Sequence, residues 1–266
     1  LKMYVREIDI LSSVQDLKKI AAEIRKTIYV IAHHAGGGHM GAAYSMTDLI
    51  SVLYFGDVLK YRASNPNWED RDRFILSKGH ACYALYAALA KAGYFPEEEL
   101  KHVGQEGSKF GGHPKMFDIP GVEASTGALG HGLSFAIGIA YANKTDQKDN
   151  HVYVVLGDGE CQEGSVWEGA LSAPTLELDN LTVIVDHNKL QAMDGLESIV
   201  HMKPFADKWK AFGWDVEEID GHNYEQIRDA LLARQAGKPR LIVANTVKGK
   251  GVSFMENVPI WHYRMP

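Results

Sequence analysis

Two short β-branched runs constrain this chain more than anything else in it. His151-Val-Tyr-Val-Val-Leu156 ends in Gly157-Asp158-Gly159, and Leu181-Thr-Val-Ile-Val185 ends in Asp186-His187-Asn188. Apolar runs of this length, closed by glycine or polar residues, read as buried strands. Between them, Glu163 to Leu171 has the composition of a helix. A strand–helix–strand unit joins two parallel strands and leaves both strand ends on one edge of the sheet. Asp158 and Asn188 are therefore expected to meet. One carboxylate and one amide oxygen suit a hard divalent cation such as Mg²⁺, Ca²⁺ or Mn²⁺. Gly157 and Gly159 let a diphosphate approach the backbone and the N–H groups of the following helix. Alone, Gly-Asp-Gly is more simply a tight turn; the strand before it and the later Asn188 shift the reading to a site. No GxxxxGK[ST] occurs, nor a GxGxxG opening a helix after a first strand, which argues against an ordinary ATPase or NAD enzyme.

The rest of the chain extends the same pattern. Residues 1–13 read as an N-terminal extension. Val14, Leu17, Ala21, Ile24, Ile28 and Ile31 follow the spacing of a helix with one apolar face. Thr47 is expected to cap a second helix running to about Leu53. Phe74-Ile-Leu76 is a short strand leading into Ser77-Lys-Gly-His80, and Tyr83 to Lys91 is a helix. Residues 101–130 are glycine-rich and lack periodicity, as a functional loop would. Leu133 to Asn143 reads as a small-residue helix, and Pro204 to Phe212 as another. Trp214 to Ile219 is a strand, Tyr224 to Gln235 a helix and Leu241 to Thr246 the last strand. Strands alternating with helices give an α/β fold, a doubly wound parallel sheet flanked by helices, with residues 14–266 as one domain.

A chain of 266 residues is long enough to bury a full core. Its net charge of −6 gives no sign of a nucleic-acid partner. No apolar stretch reaches membrane-span length and no basic-plus-apolar leader is present, so a cytoplasmic protein with no membrane association is expected. Cys82 and Cys161 form no disulfide framework, and each reads as a structural residue of a reducing compartment. Four histidines, His39, His80, His113 and His262, stand in glycine-rich or polar loops. Singly, each is more often a surface or satisfied core residue. As a set beside a diphosphate-type motif, they suit proton transfer and donation to phosphate or hydroxyl oxygens. No HxxxH or paired-cysteine spacing supports zinc. The other eight histidines read as structural or surface residues.

Assembled in order, these segments resemble the N-terminal cofactor domain of transketolases. The resemblance runs over about residues 14–266 and includes Gly38-His39-Met40-Gly41, Asp70-Arg71-Asp72-Arg73-Phe74, Ser77-Lys78-Gly79-His80, Gly112-His113-Pro114 and Thr126-Gly127-Ala128-Leu129-Gly130. It continues through Gly157-Asp158-Gly159 with Glu163-Gly164, Asp220-Gly221-His222, and Trp261-His262. It implies thiamine diphosphate as cofactor, with Asp158, Asn188 and the Leu190 carbonyl as ligands of Mg²⁺ (or Ca²⁺ or Mn²⁺). Gly157, Gly159, Asn188, His80 and His262 look like diphosphate contacts, and Gly127, Ala128 and Leu129 like the segment beneath the cofactor rings. His39, His113 and His262 resemble histidines that handle sugar hydroxyls and protons. Glu163 looks like the glutamate that links paired active sites across a dimer. Met40 and Ala128 depart from the prolines common in the family at those positions. The resemblance implies two-carbon ketol transfer from a ketose (phosphate) donor to an aldose (phosphate) acceptor. It also implies that the pyrimidine-binding and C-terminal domains, which the chain lacks, come from a separate partner polypeptide, in an α₂β₂ assembly. Related thiamine enzymes, of the deoxyxylulose-phosphate synthase or 2-oxo-acid decarboxylating kind, and a non-catalytic subunit of the same fold are the alternatives.

Overall fold

A computed structural model describes residues 12–264; most of the expected N-terminal extension lies outside them. Five strands form one parallel sheet: β1 (Arg73–Leu76), β2 (Val152–Gly157), β3 (Leu181–His187), β4 (Asp215–Asp220) and β5 (Arg240–Asn245). Their order is β1-β2-β3-β5-β4, and every neighbouring pair is parallel. The interior strands are almost continuously apolar because both faces of the sheet are covered, which is the usual fate of a parallel sheet. β4 lies at the edge, and its Glu217 and Glu218 are exposed there.

Alternation along each strand feeds two cores. On β2, Tyr153 and Val155 join one, while Val152, Val154 and Leu156 join the other. The first core is covered by α1 (Val14–Ala35), α3 (Thr47–Phe55), α4 (Cys82–Lys91) and α9 (Tyr224–Leu232), with the short α2 (Met40–Ser45) packed among them. The second is covered by α5 (Gly132–Thr145), α6 (Gly164–Thr175) and α8 (Phe205–Ala211); the single turn α7 (Leu196–Ile199) lies before α8. Ser13 caps α1 by accepting from the Asp16 N–H at 3.2 Å, and Gly36 ends it in the left-handed region at φ 71°.

Several boundaries shift by a few residues, and two of the shifts have a local cause. Thr47 does not cap α3; it is the first helical residue, and its hydroxyl donates to the Ala43 carbonyl at 2.9 Å. The chain turns from α2 directly into α3 inside the core, where every residue from Met40 to Phe55 is buried. The last helix stops at Leu232 rather than Gln235, because Ala233 is extended and Gln235 pairs with Lys238 in an isolated bridge.

Ile184 sits on the middle strand, 2% exposed, facing the first core. Ile184→Ala is expected to destabilise the chain by about 2–5 kcal/mol, since the sheet behind it cannot collapse into the space. The urea-unfolding midpoint checks this; a shift worth under about 1 kcal/mol would mean that the helical layer closes over the cavity.

Candidate active site

Because β2 and β3 are paired with Gly157 beside Asp186, the turn after β2 and the turn after β3 lie next to each other. The Asp158 N–H donates to the Asp186 carbonyl at 3.4 Å, and Asp158 Oδ2 accepts from the Lys189 N–H at 2.6 Å. Lys189 is held in the left-handed region at φ 66°, which reverses the chain between Asn188 and Leu190. Asn188 Oδ1 accepts from the Leu190 N–H at 3.1 Å. Asp158, Asn188 and Leu190 thus share one corner of the carboxyl edge, as expected.

Asp158 and Asn188 are 3% and 6% exposed. Burial, reinforced by the nearby Asp186, pushes the Asp158 carboxyl up to about 6. Neighbouring Asp186 behaves oppositely. Burial would raise it, but Lys78, Ser45 and Thr246 outweigh that and hold it below the usual carboxylate range. Its carboxylate accepts from the Lys78 ammonium, from Ser45 Oγ at 2.5 Å, from Thr246 Oγ1 and from Asn188 Nδ2 at 3.3 Å. Lys78 is thereby committed to Asp186, and among the described residues no lysine or arginine forms an ion pair with Asp158. A buried carboxylate of this kind is chemically suited to a cation. Among the described residues no three or more His, Cys, Asp or Glu side chains gather into a metal cluster, and the expected set would supply only one.

Around this corner one donor is unused and one cation is buried. Among the described residues, Gln191 Nε2 is buried with no hydrogen-bond partner, and a Cβ on Gly159 would come within 3.0 Å of Gln191 Cγ. Lys248 is 2% exposed; its ammonium donates to the Leu190 carbonyl at 2.9 Å and to the Gln191 carbonyl at 3.2 Å. It also donates to His262 Nδ1 at 2.8 Å, which leaves the proton of that imidazole on Nε2. Burial, then Lys78, lowers Lys248 to about 8. Glu160, also buried, accepts from Ser77 Oγ at 2.5 Å and from the N–H groups of Gly130 and Gly157 at 2.9 and 3.0 Å. It ties the loop ending at Gly130 to the Gly-Asp-Gly turn.

The loop histidines converge above the edge. His39 lies 5.0 Å from His80 and 5.2 Å from His262 between ring centroids, and His80 lies 5.8 Å from His262. Tyr263 packs on His39 at 4.7 Å. His113 is exposed, and its ring backs directly onto Gly127, where a Cβ would come within 2.9 Å. Gly79 is equally confined: a Cβ there would meet the backbone of Thr126 and Gly127 at 2.8–2.9 Å. Ala128 and Leu129, which follow Gly127, are exposed. Burial is the main reason that three of the rings stay neutral, with neighbouring cations and histidines adding to it. It lowers His39 to about 4, His262 to about 3 and His80 well below the usual imidazole value. Glu163 stands apart, exposed at the N-terminus of α6, with its Cβ under the position a Cβ on Gly130 would take.

The thiamine diphosphate binding domain of transketolase matches residues 17–262. This chain belongs to the transketolase family. It is 40% identical to an apulose-4-phosphate transketolase subunit from Phocaeicola vulgatus, over 95% of this chain and 90% of that protein. It is 43% identical to the 6-deoxy-6-sulfo-D-fructose transketolase subunit SqwG from Clostridium sp., over 91% and 88% respectively. The crystal structure of transketolase from Campylobacter jejuni superposes with a TM-score of 0.89 at 34% identity, covering 94% of this chain and 40% of that one. The chain therefore spans about two fifths of that transketolase but most of the length of the two separate subunits. It is a transketolase-family enzyme chain with the thiamine diphosphate-binding fold.

Sequence reading did not single out Lys78, Asp186, Lys248 or Glu160 as site residues, although each follows or ends a strand at the carboxyl edge. That position was the available signal. Among the described residues no helix is long and apolar enough to cross a membrane.

Neutral His39 and His262 have a consequence for stability. Both are proton-poor in the folded chain and protonate near 6.5 once unfolded. Their contribution is whole above that pH and is lost as the pH falls through about 4 for His39 and about 3 for His262. His39→Asn is expected to flatten the fall of the thermal midpoint between about pH 7 and about pH 5. Parallel pH profiles of the two proteins would contradict the depressed value.

Proposed function

We propose that this chain, with a separate subunit carrying the pyrimidine-binding and C-terminal domains, transfers a two-carbon ketol unit from a ketose or ketose phosphate to an aldose or aldose phosphate. The observation that carries this reading is the convergence of His39, His80 and His262 at the carboxyl edge of the sheet, where the buried Asp158 has no ion-pair partner among the described residues. Residues 14–266 act as one diphosphate-arm domain. Asp158, Asn188 and the Leu190 carbonyl hold Mg²⁺, or Ca²⁺ or Mn²⁺ in its place. Gly157, Gly159, His80, Asn188 and His262 would receive the diphosphate, with Gln191 adding a donor and Lys248 a positive charge beside it. Gly127, Ala128 and Leu129 would support the rings of thiamine diphosphate. When bound, that cofactor supplies the electron sink for breaking and making the carbon–carbon bond.

The chain's own groups bind, orient and move protons. His262 offers Nε2–H to an oxygen, since Nδ1 is taken by Lys248. His39, neutral at physiological pH, can accept a proton from a sugar hydroxyl or return one. His113, exposed over Gly127, faces the side from which a sugar enters. Glu163 reaches a second copy, in an α₂β₂ assembly of cytoplasmic location. The relatives' names carry apulose 4-phosphate and sulfofructose. The donor sugar is therefore tested beyond xylulose 5-phosphate, and a role in pentose phosphate metabolism depends on the outcome.

Ketol transfer to ribose 5-phosphate is expected from the chain with its partner, thiamine diphosphate and Mg²⁺, for xylulose 5-phosphate or one of the two sugars above as donor. Pyruvate-dependent CO₂ release in place of transfer would move the reading to another thiamine enzyme. Asp158→Ala is expected to abolish Mg²⁺-dependent binding of thiamine diphosphate, as calorimetry would show. Undiminished affinity in that variant removes Asp158 from the ligand set.

A further inference from the structure

Lys248 is presented by the short turn from Val247 to Lys250, and a network outside the active site holds that turn from behind. Its centre is Asp48 on α3, 3% exposed. Arg25 of α1 grips both carboxylate oxygens, at 2.9 Å from Nη1 and 2.8 Å from Nη2. Tyr224, the first residue of α9, donates its hydroxyl to Oδ1. His222, from the loop after β4, approaches Oδ2 with Nδ1 at 2.8 Å. The other nitrogen of that ring, Nε2, lies 2.9 Å from the Val247 backbone nitrogen.

The Val247 N–H can only donate, so His222 Nε2 must carry its lone pair. Nδ1 then carries the proton and donates it to Asp48. The carboxylate thereby fixes both the tautomer and the orientation of the ring that receives Val247. Arg25 closes the other side, donating from Nε to the Lys250 carbonyl at 3.0 Å. One buried carboxylate thus fixes both flanks of the turn, and Lys248 lies between them with its ammonium on Leu190, Gln191 and His262. Other bonds tie the turn to its surroundings, among them the Gly249 N–H to the Gly41 carbonyl at 3.0 Å and the Asn257 N–H to the Lys248 carbonyl at 2.9 Å. Neither fixes the Val247 peptide.

We infer that Asp48 and His222 form a positioning latch for Lys248, setting the turn that holds its amine at the diphosphate corner without touching the cofactor themselves. The inference rests on the reading of Lys248 as a group facing the cofactor. Asp48 is unsuited to the first test, because its removal leaves the Arg25 guanidinium without a counter-charge. His222→Phe keeps a ring of similar size and removes both nitrogens. His222→Gln returns an acceptor near the Nε2 position.

Two measurements on the full chain separate the latch from the reading beneath it. Hydrogen exchange of the Val247 amide is expected to accelerate by about ten-fold or more in His222→Phe, as one lost hydrogen bond allows, while the β5 amides keep their protection. His222→Gln should recover most of that protection. The affinity of the chain, with its partner polypeptide, for thiamine diphosphate plus Mg²⁺ should fall about five- to ten-fold in His222→Phe and in Lys248→Met. In the Lys248→Met background, His222→Phe should then cost less than about two-fold, because the two act through one group. Unchanged Val247 exchange in His222→Phe, or full additivity in the double variant, overturns the latch. An unchanged affinity in Lys248→Met, with Val247 exchange still accelerated by His222→Phe, instead overturns the cofactor role of Lys248.

Discussion

The Asp186 carboxylate is the contact on which the whole carboxyl edge depends. It is fully buried, and it joins Ser45 from α2, Lys78 from the turn after β1, Thr246 from the end of β5 and Asn188 from the turn after β3. Four segments that carry the candidate site are thus held by two oxygen atoms. Burying an ion pair is expensive, and its attraction repays that cost only where the remaining lone pairs are also satisfied. Asp186 meets that condition with two hydroxyls and an amide. The arrangement also decides which carboxylate is left for a cation: Lys78 neutralises Asp186, and Asp158 beside it has no such counter-charge among the described residues.

The same edge sorts its groups by proton affinity. His39, His80 and His262 are driven neutral by burial, and Lys248 is lowered only to about 8 and stays largely charged near neutral pH. Neutral rings next to a charged amine give a site that can both accept and donate protons within a few ångströms. The contact between Lys248 and His262 Nδ1 shows how one group sets the state of the next.

Much of this was legible in the sequence, for identifiable reasons. The strands are short, β-branched and closed by glycine or polar residues, and a parallel connection leaves their ends on one edge. The meeting of Asp158 and Asn188 therefore followed from the order of elements alone. The amphipathic spacing of α1 was equally plain. Lys78 and Asp186 were not read as a pair because they are 108 residues apart, and a lone lysine after a strand looks solvated until its counter-charge is known. Thr47 misled for the opposite reason. Capping chemistry is local, but here α2 runs straight into α3 through a buried turn, and the hydroxyl turns back to Ala43. Glu163 enters only through the family resemblance. An exposed carboxylate at the start of α6 carries no local signal that separates it from any other solvated glutamate.

The alternation of each strand between two cores has one more consequence. Neither helical layer has to supply the chemistry, which is gathered on the loops at the strand ends. Replacements in those loops need not disturb the packing of Tyr153 and Val155 on one face or of Val154 and Leu156 on the other. A chain built this way can change residues along a single rim without repacking its interior. Relatives sharing about two fifths of their residues with this chain, yet named for two different sugars, are what such a division of labour would leave behind.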